Sequence, residues 1–566
     1  MEKRWVYKPK PGTEEVERLA QAINVNAYLS TLLVQRGITD YPQAKAFFRP
    51  ELSHLHDPFT MRDMDLAVER LRQAIEREEK ILVFGDYDVD GTTSVALVYS
   101  YLRQFYPHCR YYIPDRYTEG YGVSEAGIIW AERNDIKLII ALDLGIKASD
   151  MVILARAKGI DFIICDHHLP GGDMPQAVAV LDPKREDCGY PYRELSGCGI
   201  GFKLMQAYAR THRDEKEVFE YLDLVAVSIA SDIVPIHGEN RVLAYFGLEK
   251  LNRNPLPGLQ ALMTISGVSS EVDIGTVVFS LGPRINAAGR LAHAHGAVEL
   301  LISETEGEAL LLAEKLNLTN VERREVDTSI TEDAISQIES DPVLKNSRST
   351  VLYKETWHKG VIGIVAARCV EKYYRPTVIL TKSNGKITGS ARSVKGFDLY
   401  EALTACSDLL DKYGGHRYAA GLSMAPENYS AFRERFEEVV RKRISDDQRT
   451  PSIDIDLVMP FDAITPRFLH LLKQFAPFGP ENLKPVFESR NVFVQNALTN
   501  LKDKHIRFLA GQHGNNNIFT AIGFDMPEFY SPLLKGKPFR MAYTVEENTF
   551  NGETNIQLRI KDLKFD

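Results

Sequence analysis

Short apolar runs that end in acidic residues recur in the first half of the chain. Three of them are rich in β-branched residues and occupy positions 80–84, 137–142 and 161–165. Such runs are typical of buried strands. Helical character over residues 92–102 places the first acidic cluster at a strand-to-helix junction, where open α/β sheets bind ligands. The alternation of strand and helix patterns predicts a doubly wound α/β domain over residues 51–240.

The remaining patterns predict four further segments. They are a helical segment over residues 1–50, a helical connector over 241–344, a second α/β domain over 345–447 and an all-β domain over 453–566. The connector includes a long predicted helix over residues 305–340. Short strands separated by polar turns make a small barrel the expected form of the last domain. An aromatic loop there, residues 475–482, is either a substrate contact or a set of packed rings.

The acidic residues after the apolar runs are dense enough to need a cation. They are Asp86, Asp88 and Asp90 in GDYDVDG, then Asp143, then Asp166 with His167 and His168, and finally Asp232. Residues 224–230, which precede Asp232, fit either a strand or a helix. A lone Asp-X-Asp is more often a capped turn. Like charges this close raise each other's pKa unless cations neutralise them, and carboxylates with imidazoles suit Mn²⁺ or Mg²⁺. Four coinciding segments therefore favour two divalent ions.

The composition is that of an ordinary globular protein. Hydrophobic residues make up 44% of the 566 positions and charged residues 26%, so more than one hydrophobic core is expected. Six cysteines are scattered without metal-type spacing, which favours a reducing cytoplasm. The N-terminus lacks an apolar signal core, and no apolar run approaches the roughly 20 residues that span a bilayer. The sequence therefore predicts no membrane partner.

Charge is distributed unevenly along the chain. The net charge of −9 weighs mildly against a polyanionic ligand, but residues 354–395 carry nine basic and two acidic residues, a local net charge of +7. That surplus predicts either a phosphate-binding face or a solvated helix surface. Within it, Ser390 offers a hydroxyl and Arg392 a guanidinium fork that can grip two phosphate oxygens. Gly414 and Gly415, followed by His416, allow a loop to approach a nucleotide closely.

Several motifs, in order, resemble those of the DHH phosphoesterase superfamily. The metal motifs are GDYDVDG (85–91), ALDLGI (141–146), CDHHLP (165–170) and SDIVPI (231–236). The resemblance narrows to the RecJ family through GPRINAAGR (282–290), WHKGVIGIVAARCVEKYYRPTVIL (357–380), GSARSVKGFDLYEAL (389–403) and YGGHRYAAGLSM (413–424). It implies a DHH-type parallel-sheet metal domain and a second α/β, DHH-associated domain joined by a long helix. A C-terminal OB-like β-barrel completes the implied fold.

The same resemblance implies a function and a set of site residues. The implied activity is 5′-to-3′ hydrolysis of single-stranded DNA to mononucleotides in repair and recombination, helped by a helicase and a single-strand-binding protein. The implied catalytic and metal-binding residues are Asp86, Asp88, Asp90, Asp143, His167, His168 and Asp232. The implied substrate-binding residues are Arg116, Tyr121, Arg284, Arg290, His358, Ser390, Arg392, Gly414, Gly415 and His416. Phe84 stands where many members have a histidine, so Asp86 or water must complete that site. His168 either ligates metal or hydrogen-bonds to substrate.

Two alternatives share these motifs. The first is a DHH-family enzyme that acts on short oligoribonucleotides or removes phosphate from nucleotides; such enzymes ordinarily lack the C-terminal β domain. The second is a non-catalytic scaffold of a replicative helicase assembly, in which the metal motifs have decayed. All four metal motifs here retain aspartate or histidine. Hydrolysis by the isolated chain, and a comparison of dinucleotide with long-strand substrates, separate the three possibilities.

Overall fold

The chain forms two compact units. The computed structural model describes residues 2–291, 293–550 and 552–565. The larger unit contains Tyr7–Asn317 and Asp454–Asp566, and the smaller unit contains Leu318–Ile453 with the N-terminal residues up to Val6. The larger unit therefore includes the N-terminal helical segment, the first α/β domain, most of the connector and the β domain.

A parallel five-stranded sheet is the centre of the first α/β domain. In spatial order its strands are Cys109–Tyr112, Lys80–Gly85, Ile136–Leu142, Asp161–Cys165 and Ala179–Leu181. The strands are apolar on both faces because helices cover both sides of a parallel sheet. Ile81 and Val83 enter one hydrophobic core, and Leu82 and Phe84 enter the other. The predicted parallel-sheet α/β domain is confirmed.

Helices surround this sheet and position its polar ends. They are Met64–Glu76, Val89–Arg103, Glu125–Arg133, Ser149–Ala157, Gly197–His212 and Leu222–Ser231. The ambiguous residues 224–230 are thus helical, and they are fully buried. Asp88 caps the helix Val89–Arg103 by accepting a hydrogen bond from the Gly91 amide at 3.0 Å, as aspartate commonly does at helix starts.

Further helices complete the larger unit. After the sheet domain come Gly238–Arg253, Pro257–Ile265, Gly282–Leu291 and His295–Leu301, with a π-helical turn at Val277–Leu281. At the N-terminus, Thr13–Ile23, Ala27–Val34 and Tyr41–Phe48 are helical. Leu29, Leu32 and Leu33 share a core with Phe468 and Phe487 of the C-terminal β domain. The N-terminal segment therefore packs with the far end of the chain.

The C-terminal domain is a small β-barrel. Its strands, in order, are Leu457–Val458, Phe487–Leu501, His505–Gln512, Phe519–Gly523, Glu553–Phe565 and Phe539–Phe550. The strand Phe487–Leu501 also pairs with Phe539–Phe550, which closes the ring. Closure leaves few open edges that could pair with another chain. The expected OB-like barrel is confirmed.

The smaller unit has a mixed five-stranded sheet. Its strands, in order, are Lys412–Gly415, Ala419–Met424, Lys386–Arg392, Thr377–Ser383 and Thr350–Tyr353, of which only the last pair is parallel. Its main helices are Ile362–Tyr373, Leu399–Thr404 and Tyr429–Arg443. The predicted long helix is Glu306–Ser340, which begins in the larger unit and ends in the smaller one. Across the described ranges, no helix is both long and apolar enough to cross a membrane.

Candidate active site

The strand register brings three acidic residues to one edge of the parallel sheet. At the ends of three neighbouring strands, Leu142 pairs with Gly85 on one side and with Cys165 on the other. The residues that follow them, Asp86, Asp143 and Asp166, therefore leave the sheet side by side. This edge is the carboxyl end of the strands, where ligands of open α/β sheets bind.

His167 lies at the centre of the acidic cluster. Its Nε2 is 3.1 Å from Asp143 Oδ1, 3.6 Å from Asp232 Oδ2 and 3.7 Å from Asp90 Oδ2. The seven predicted residues form three overlapping sets, each with ligand atoms within 4.8 Å of one another: Asp86 with Asp88 and Asp143, Asp90 with His167 and Asp232, and Asp143 with His167 and His168. The structure therefore brings all seven together.

Asp90 is held by a helix N-terminus. Its carboxylate accepts hydrogen bonds from the amides of Gly197 at 2.7 Å and Cys198 at 2.8 Å, and from Ser228 Oγ at 2.6 Å. The positive end of the helix Gly197–His212 stabilises the negative charge. No sequence signal marks Ser228 as part of the site, because it lies in the middle of an apolar helix.

Asp143 occupies a strained and crowded position. Its φ of 61° is left-handed, which is uncommon for a residue other than glycine. Its amide donates to the Cys165 carbonyl at 2.9 Å. A Cβ on Gly197 would lie 2.6 Å from the Asp143 Cβ, so only glycine leaves room for this side chain. The backbone therefore determines where the carboxylate points.

Charge and hydrogen bonding in the cluster fit a divalent cation. Burial raises the pKa of Asp86 and of Asp143, and neighbouring carboxylates raise both further. Asp86 Oδ1 and His167 Nδ1 are buried and have no hydrogen-bond partner within the described part of the chain. Buried polar atoms normally have partners. An oxygen-rich set with one or two imidazoles suits Mn²⁺ or Mg²⁺, so the residues present fit the predicted metals.

Asp166 orients His168. Its carboxylate accepts hydrogen bonds from the amides of Ile146, His167 and His168 at 2.9, 2.8 and 3.1 Å, and lies 2.7 Å from His168 Nδ1. Burial alone would raise the pKa of Asp166, but the hydrogen bond from His168 and those from the amides lower it to about 2. With Nδ1 donating to Asp166, the His168 Nε2 is the nitrogen that faces the cluster, 3.2 Å from the Tyr121 hydroxyl.

We expect Asp166→Asn to lower the catalytic rate by about tenfold, in the range seen when the partner of an active-site histidine is changed. The amide cannot fix His168 in one tautomer or stabilise its charge. The measurement is the rate of Mn²⁺-dependent strand hydrolysis at saturating substrate. Asp161→Asn, at the opposite end of the strand that precedes Asp166 and half-exposed beside Arg70, is the control, and an equal loss in both variants would contradict this role.

The predicted substrate residues of the larger unit lie near the loop that follows Asp86. The Arg116 guanidinium is 4.9 Å from the centre of the Tyr87 ring, and the Tyr121 ring is 6.4 Å from the same centre. Tyr121 is 58% exposed, so its face is open to a base. Tyr87 lies within the first metal motif, GDYDVDG, but is not one of the predicted site residues; its ring contacts both groups.

The helix Gly282–Leu291, which carries Arg284 and Arg290, lies against this loop. A Cβ on Gly289 would be 2.6 Å from the Tyr87 carbonyl oxygen. Arg290, the next residue, is close enough to lower the pKa of Tyr87, although burial raises it overall to about 12. Arg284 instead donates from Nε to Asn317 Oδ1 at 3.0 Å. Arg290 is therefore the better placed of the two for a phosphate near the metal cluster.

A second polar site lies in the smaller unit, at the N-terminus of the helix Ile362–Tyr373. Arg392 Nη1 donates to Ser390 Oγ at 3.0 Å and to the Ala391 carbonyl at 2.9 Å. A Cβ on Gly363 would be 2.9 Å from Ser390 Oγ and 3.0 Å from Arg392 Nη2. A guanidinium, a hydroxyl and a helix N-terminus together can bind a phosphate.

The smaller unit also contains the other predicted substrate-binding residues, Gly414, Gly415, His416 and His358. Gly414 pairs with Gly421, and Gly421 pairs with Ser390. The strand Lys412–Gly415 is therefore in the same sheet as Ser390. Gly415 has a φ of 142°, and a Cβ there would lie 2.4 Å from the Ala419 carbonyl oxygen. The His416 amide donates to that carbonyl at 2.8 Å. His358 Nδ1 accepts from the Gly360 amide at 3.1 Å.

Much of the positive charge of the basic segment 354–395 is neutralised by ion pairs. Five of its cations form ion pairs: Lys354 with Asp333, Arg368 with Asp327, Lys372 with Glu339, Lys382 with Glu355 and Lys386 with Asp411. Three of these carboxylates come from the long helix, outside the counted segment. The ion pairs therefore do not support a broad phosphate-binding face. The remaining candidate for binding phosphate in this segment is the site around Ser390 and Arg392.

Family models match three parts of the chain. They are described as the DHH family, N-terminal domain, over residues 80–229, the DHHA1 domain over 346–442 and the RecJ OB domain over 455–562. The first covers every predicted metal ligand except Asp232.

Relatives and solved structures extend the similarity to almost the whole chain. A single-stranded-DNA-specific exonuclease RecJ from Bacillus subtilis is 34% identical, covering 99% of this chain and 70% of the relative. Crystal structures of Thermus thermophilus RecJ with Mn²⁺ and with Mg²⁺ superpose with TM-scores of 0.86 and 0.80. Both are 25% identical to this chain. The matches cover 100% of this chain, 80% of the chain in the Mn²⁺ structure and 78% of the chain in the Mg²⁺ structure. The chain belongs to the RecJ family of the DHH proteins.

Proposed function

We propose that this chain is a single-stranded-DNA-specific exonuclease that removes 5′-mononucleotides in the 5′-to-3′ direction. The observation that carries the proposal is the convergence of His167 with five aspartates at the carboxyl edge of the parallel sheet. Decay of the metal motifs, expected of a non-catalytic scaffold, is not seen in this cluster. The RecJ relative from Bacillus subtilis is named a single-stranded-DNA-specific exonuclease.

The proposed metal ligands are Asp86, Asp88, Asp90, Asp143, His167 and Asp232. Two divalent ions bound there would supply an activated water and compensate the charge that develops on the phosphate. Without them the carboxylates would repel a phosphate. The amides of Gly197 and Cys198 keep Asp90 in place. His168, oriented by Asp166, offers Nε2 to a phosphate oxygen or to the leaving oxygen.

The proposed 5′-end site consists of Ser390 and Arg392 with the N-terminus of the helix Ile362–Tyr373. A terminal phosphate carries more negative charge than a phosphodiester, so a guanidinium and a helix N-terminus bind it preferentially. In the larger unit, Arg116 and Arg290 are proposed to contact phosphates beside the metal cluster, and Tyr121 to stack on a base. Recognition of a terminal phosphate gives the reaction its direction.

The C-terminal barrel is proposed to hold the strand beyond the cleaved nucleotide. OB-folds bind single strands by stacking and by charge along the backbone. A long strand is therefore the preferred substrate, in contrast to DHH enzymes that act on dinucleotides. A cytoplasmic location, which the scattered cysteines favour, also belongs to this proposal. Help from a helicase and a single-strand-binding protein belongs to it as well and rests on the family alone.

We expect the purified chain, with Mn²⁺, to release labelled mononucleotide from a 5′-labelled single strand from the first turnover. A 3′-labelled strand should release its label only after a lag, and blunt duplex should resist digestion. The measurement is product length against time on denaturing gels, with EDTA as the metal-free control. The order of release follows from recognition of the 5′ end.

The same assay distinguishes the alternatives. Faster hydrolysis of a dinucleotide than of a long strand would identify a short-oligonucleotide enzyme. Immediate release of the 3′ label would contradict the direction. Absence of hydrolysis with either Mn²⁺ or Mg²⁺ would favour the scaffold.

A further inference from the structure

The aromatic loop 475–482 contacts the chain that follows Asp232. The Ile236 amide donates to the Pro480 carbonyl at 2.8 Å. Gly479 packs directly on the Ile236 side chain, and a Cβ there would lie 2.5 Å from Ile236 Cγ1. Ile236 is fully buried, so it has little freedom to move away. Glycine is thus required at 479 for this approach.

Hydrogen bonds within the loop 475–482 hold its conformation. Asn482, which is 2% exposed, donates from Nδ2 to the carbonyls of Phe475 and Pro477, both at 2.8 Å. Its Oδ1 accepts from Arg36 Nε at 2.8 Å. Gly479 and Asn482 also exchange two backbone hydrogen bonds, at 3.1 and 3.0 Å. A buried, fully bonded asparagine holds the turn in one conformation.

Arg241 ties the next helix to the same loop. It lies on Gly238–Arg253 and donates to the carbonyls of Phe475 at 2.9 Å and Ala476 at 2.8 Å. Its guanidinium is 3.8 Å from the centre of the Phe47 ring. Burial lowers the pKa of Arg241 to about 9. The chain after Asp232 is therefore anchored to the loop at Ile236 and again, within the next helix, at Arg241.

The near end of that segment, directly after Asp232, is a turn at Ile233. Asp232 ends the helix Leu222–Ser231, and its amide donates to the Ser228 carbonyl at 2.9 Å. Ile233, the next residue, is 64% exposed and has a left-handed φ of 62°. The Ile233 side chain therefore buries little surface. Val234 is buried in the core, and the Pro235 carbonyl accepts from Asn240 Nδ2 at 3.1 Å. The contacts of Ile236 act together with these to set the direction in which the chain leaves Asp232.

We propose that loop 475–482 is a positioning element for the metal ligand Asp232. Gly479, Pro480 and Asn482 would set the place of a carboxylate from which they are far in sequence, by holding Ile236. The inference rests on the metal site of the proposed function, and it gives the aromatic loop a role other than contact with substrate. Partners behind a metal ligand commonly change metal affinity when they are altered.

A purely structural role for the loop predicts something different. Phe475 is fully buried and its ring meets those of Phe47 and Phe48 edge-on, at 5.4 and 5.5 Å. Those contacts stabilise the larger unit whether or not metal binds. Loss of the packing would lower the unfolding temperature without changing the metal affinity of the folded protein. Metal affinity and stability must therefore be measured separately.

The test is Gly479→Ala in the full chain. The added methyl displaces Ile236, so the affinity for Mn²⁺ should fall by about tenfold, measured from the electron paramagnetic resonance signal of free Mn²⁺. Affinity for a single strand in EDTA should stay within about twofold, because no proposed DNA contact changes. Gly307→Ala, at an exposed helical glycine with open space around it, is the control.

A second variant keeps the test decisive if packing is disturbed. In Gly479→Ala with Ile236→Ala the clashing Cγ1 is absent, and the remaining Ile236 Cβ position lies 3.6 Å from the new methyl, an ordinary contact. The double variant should recover Mn²⁺ affinity relative to Gly479→Ala. Wild-type affinity in Gly479→Ala, or no recovery in the double variant, would overturn the proposal. Tight Mn²⁺ binding by a wild type that does not hydrolyse DNA would refute the proposed function instead.

Discussion

Asp143→Asn is expected to lower Mn²⁺-dependent hydrolysis of a 5′-labelled single strand by about 10³-fold or more, since several kcal/mol of charge compensation depend on the metals. Asp143 belongs to two of the three overlapping ligand sets. Asparagine has the same shape and tolerates the left-handed backbone at this position better than most residues. The fold should therefore survive, and the loss can be assigned to the site.

The same variant should alter stability in opposite directions with and without metal. Burial, with Asp90 and the other carboxylates, holds the pKa of Asp143 well above its usual range. The folded chain then binds this proton more tightly than the unfolded chain. The wild type's free energy of unfolding, without metal, should fall as the pH rises from about 4 through the raised pKa. Asparagine has no proton to lose.

Calorimetry in EDTA and in Mn²⁺ checks this expectation. In EDTA the variant should unfold at the same temperature as the wild type at pH 4 and at a higher temperature near neutrality. In Mn²⁺ the wild type should gain stability by binding the ion, and the variant should gain less. A variant that unfolds at lower temperature in EDTA at every pH would show that Asp143 supports the fold rather than the metals.

Local patterns were sufficient to predict the edge of the parallel sheet. A short apolar strand and the aspartate after it are neighbours in sequence. The apolar runs before Asp86, Asp143 and Asp166 therefore show that each of these aspartates lies at the end of a strand. Residues 224–230 were ambiguous because a fully buried helix has no polar face to show its period. That segment is helical, and it still delivers Asp232 to the cluster.

Partners that are distant in sequence could not be predicted. Asp90 depends on Gly197 and Ser228, more than 100 positions away, and neither lies in a motif that resembles a metal site. The charge count over 354–395 could not distinguish its two readings for the same reason, because Asp327 and Asp333 lie on another element and neutralise Arg368 and Lys354. Composition describes a segment, whereas an electric field depends on everything packed against it.

Ser390 and Arg392 present the clearest case for end recognition within the smaller unit. They lie on the strand Lys386–Arg392, and the Arg392 guanidinium is oriented by Ser390 Oγ at 3.0 Å. Gly363 leaves space beside both groups at the start of a helix. Lys382, on the neighbouring strand Thr377–Ser383, pairs with Glu355 at 2.6 Å. It supplies a matched control, because its removal subtracts the same charge from the same sheet.

Arg392→Ala is expected to lower kcat/KM for a 5′-phosphorylated strand by about 10- to 100-fold, the equivalent of one charged hydrogen-bonding group. The loss for a 5′-hydroxyl strand should be much smaller, because that end lacks the dianion that the guanidinium binds. Competition between the two strands in one reaction measures the preference directly. Lys382→Ala should leave the preference unchanged. An equal loss on both strands would assign Arg392 to the strand's interior phosphates, and direction would then have to come from the metal site.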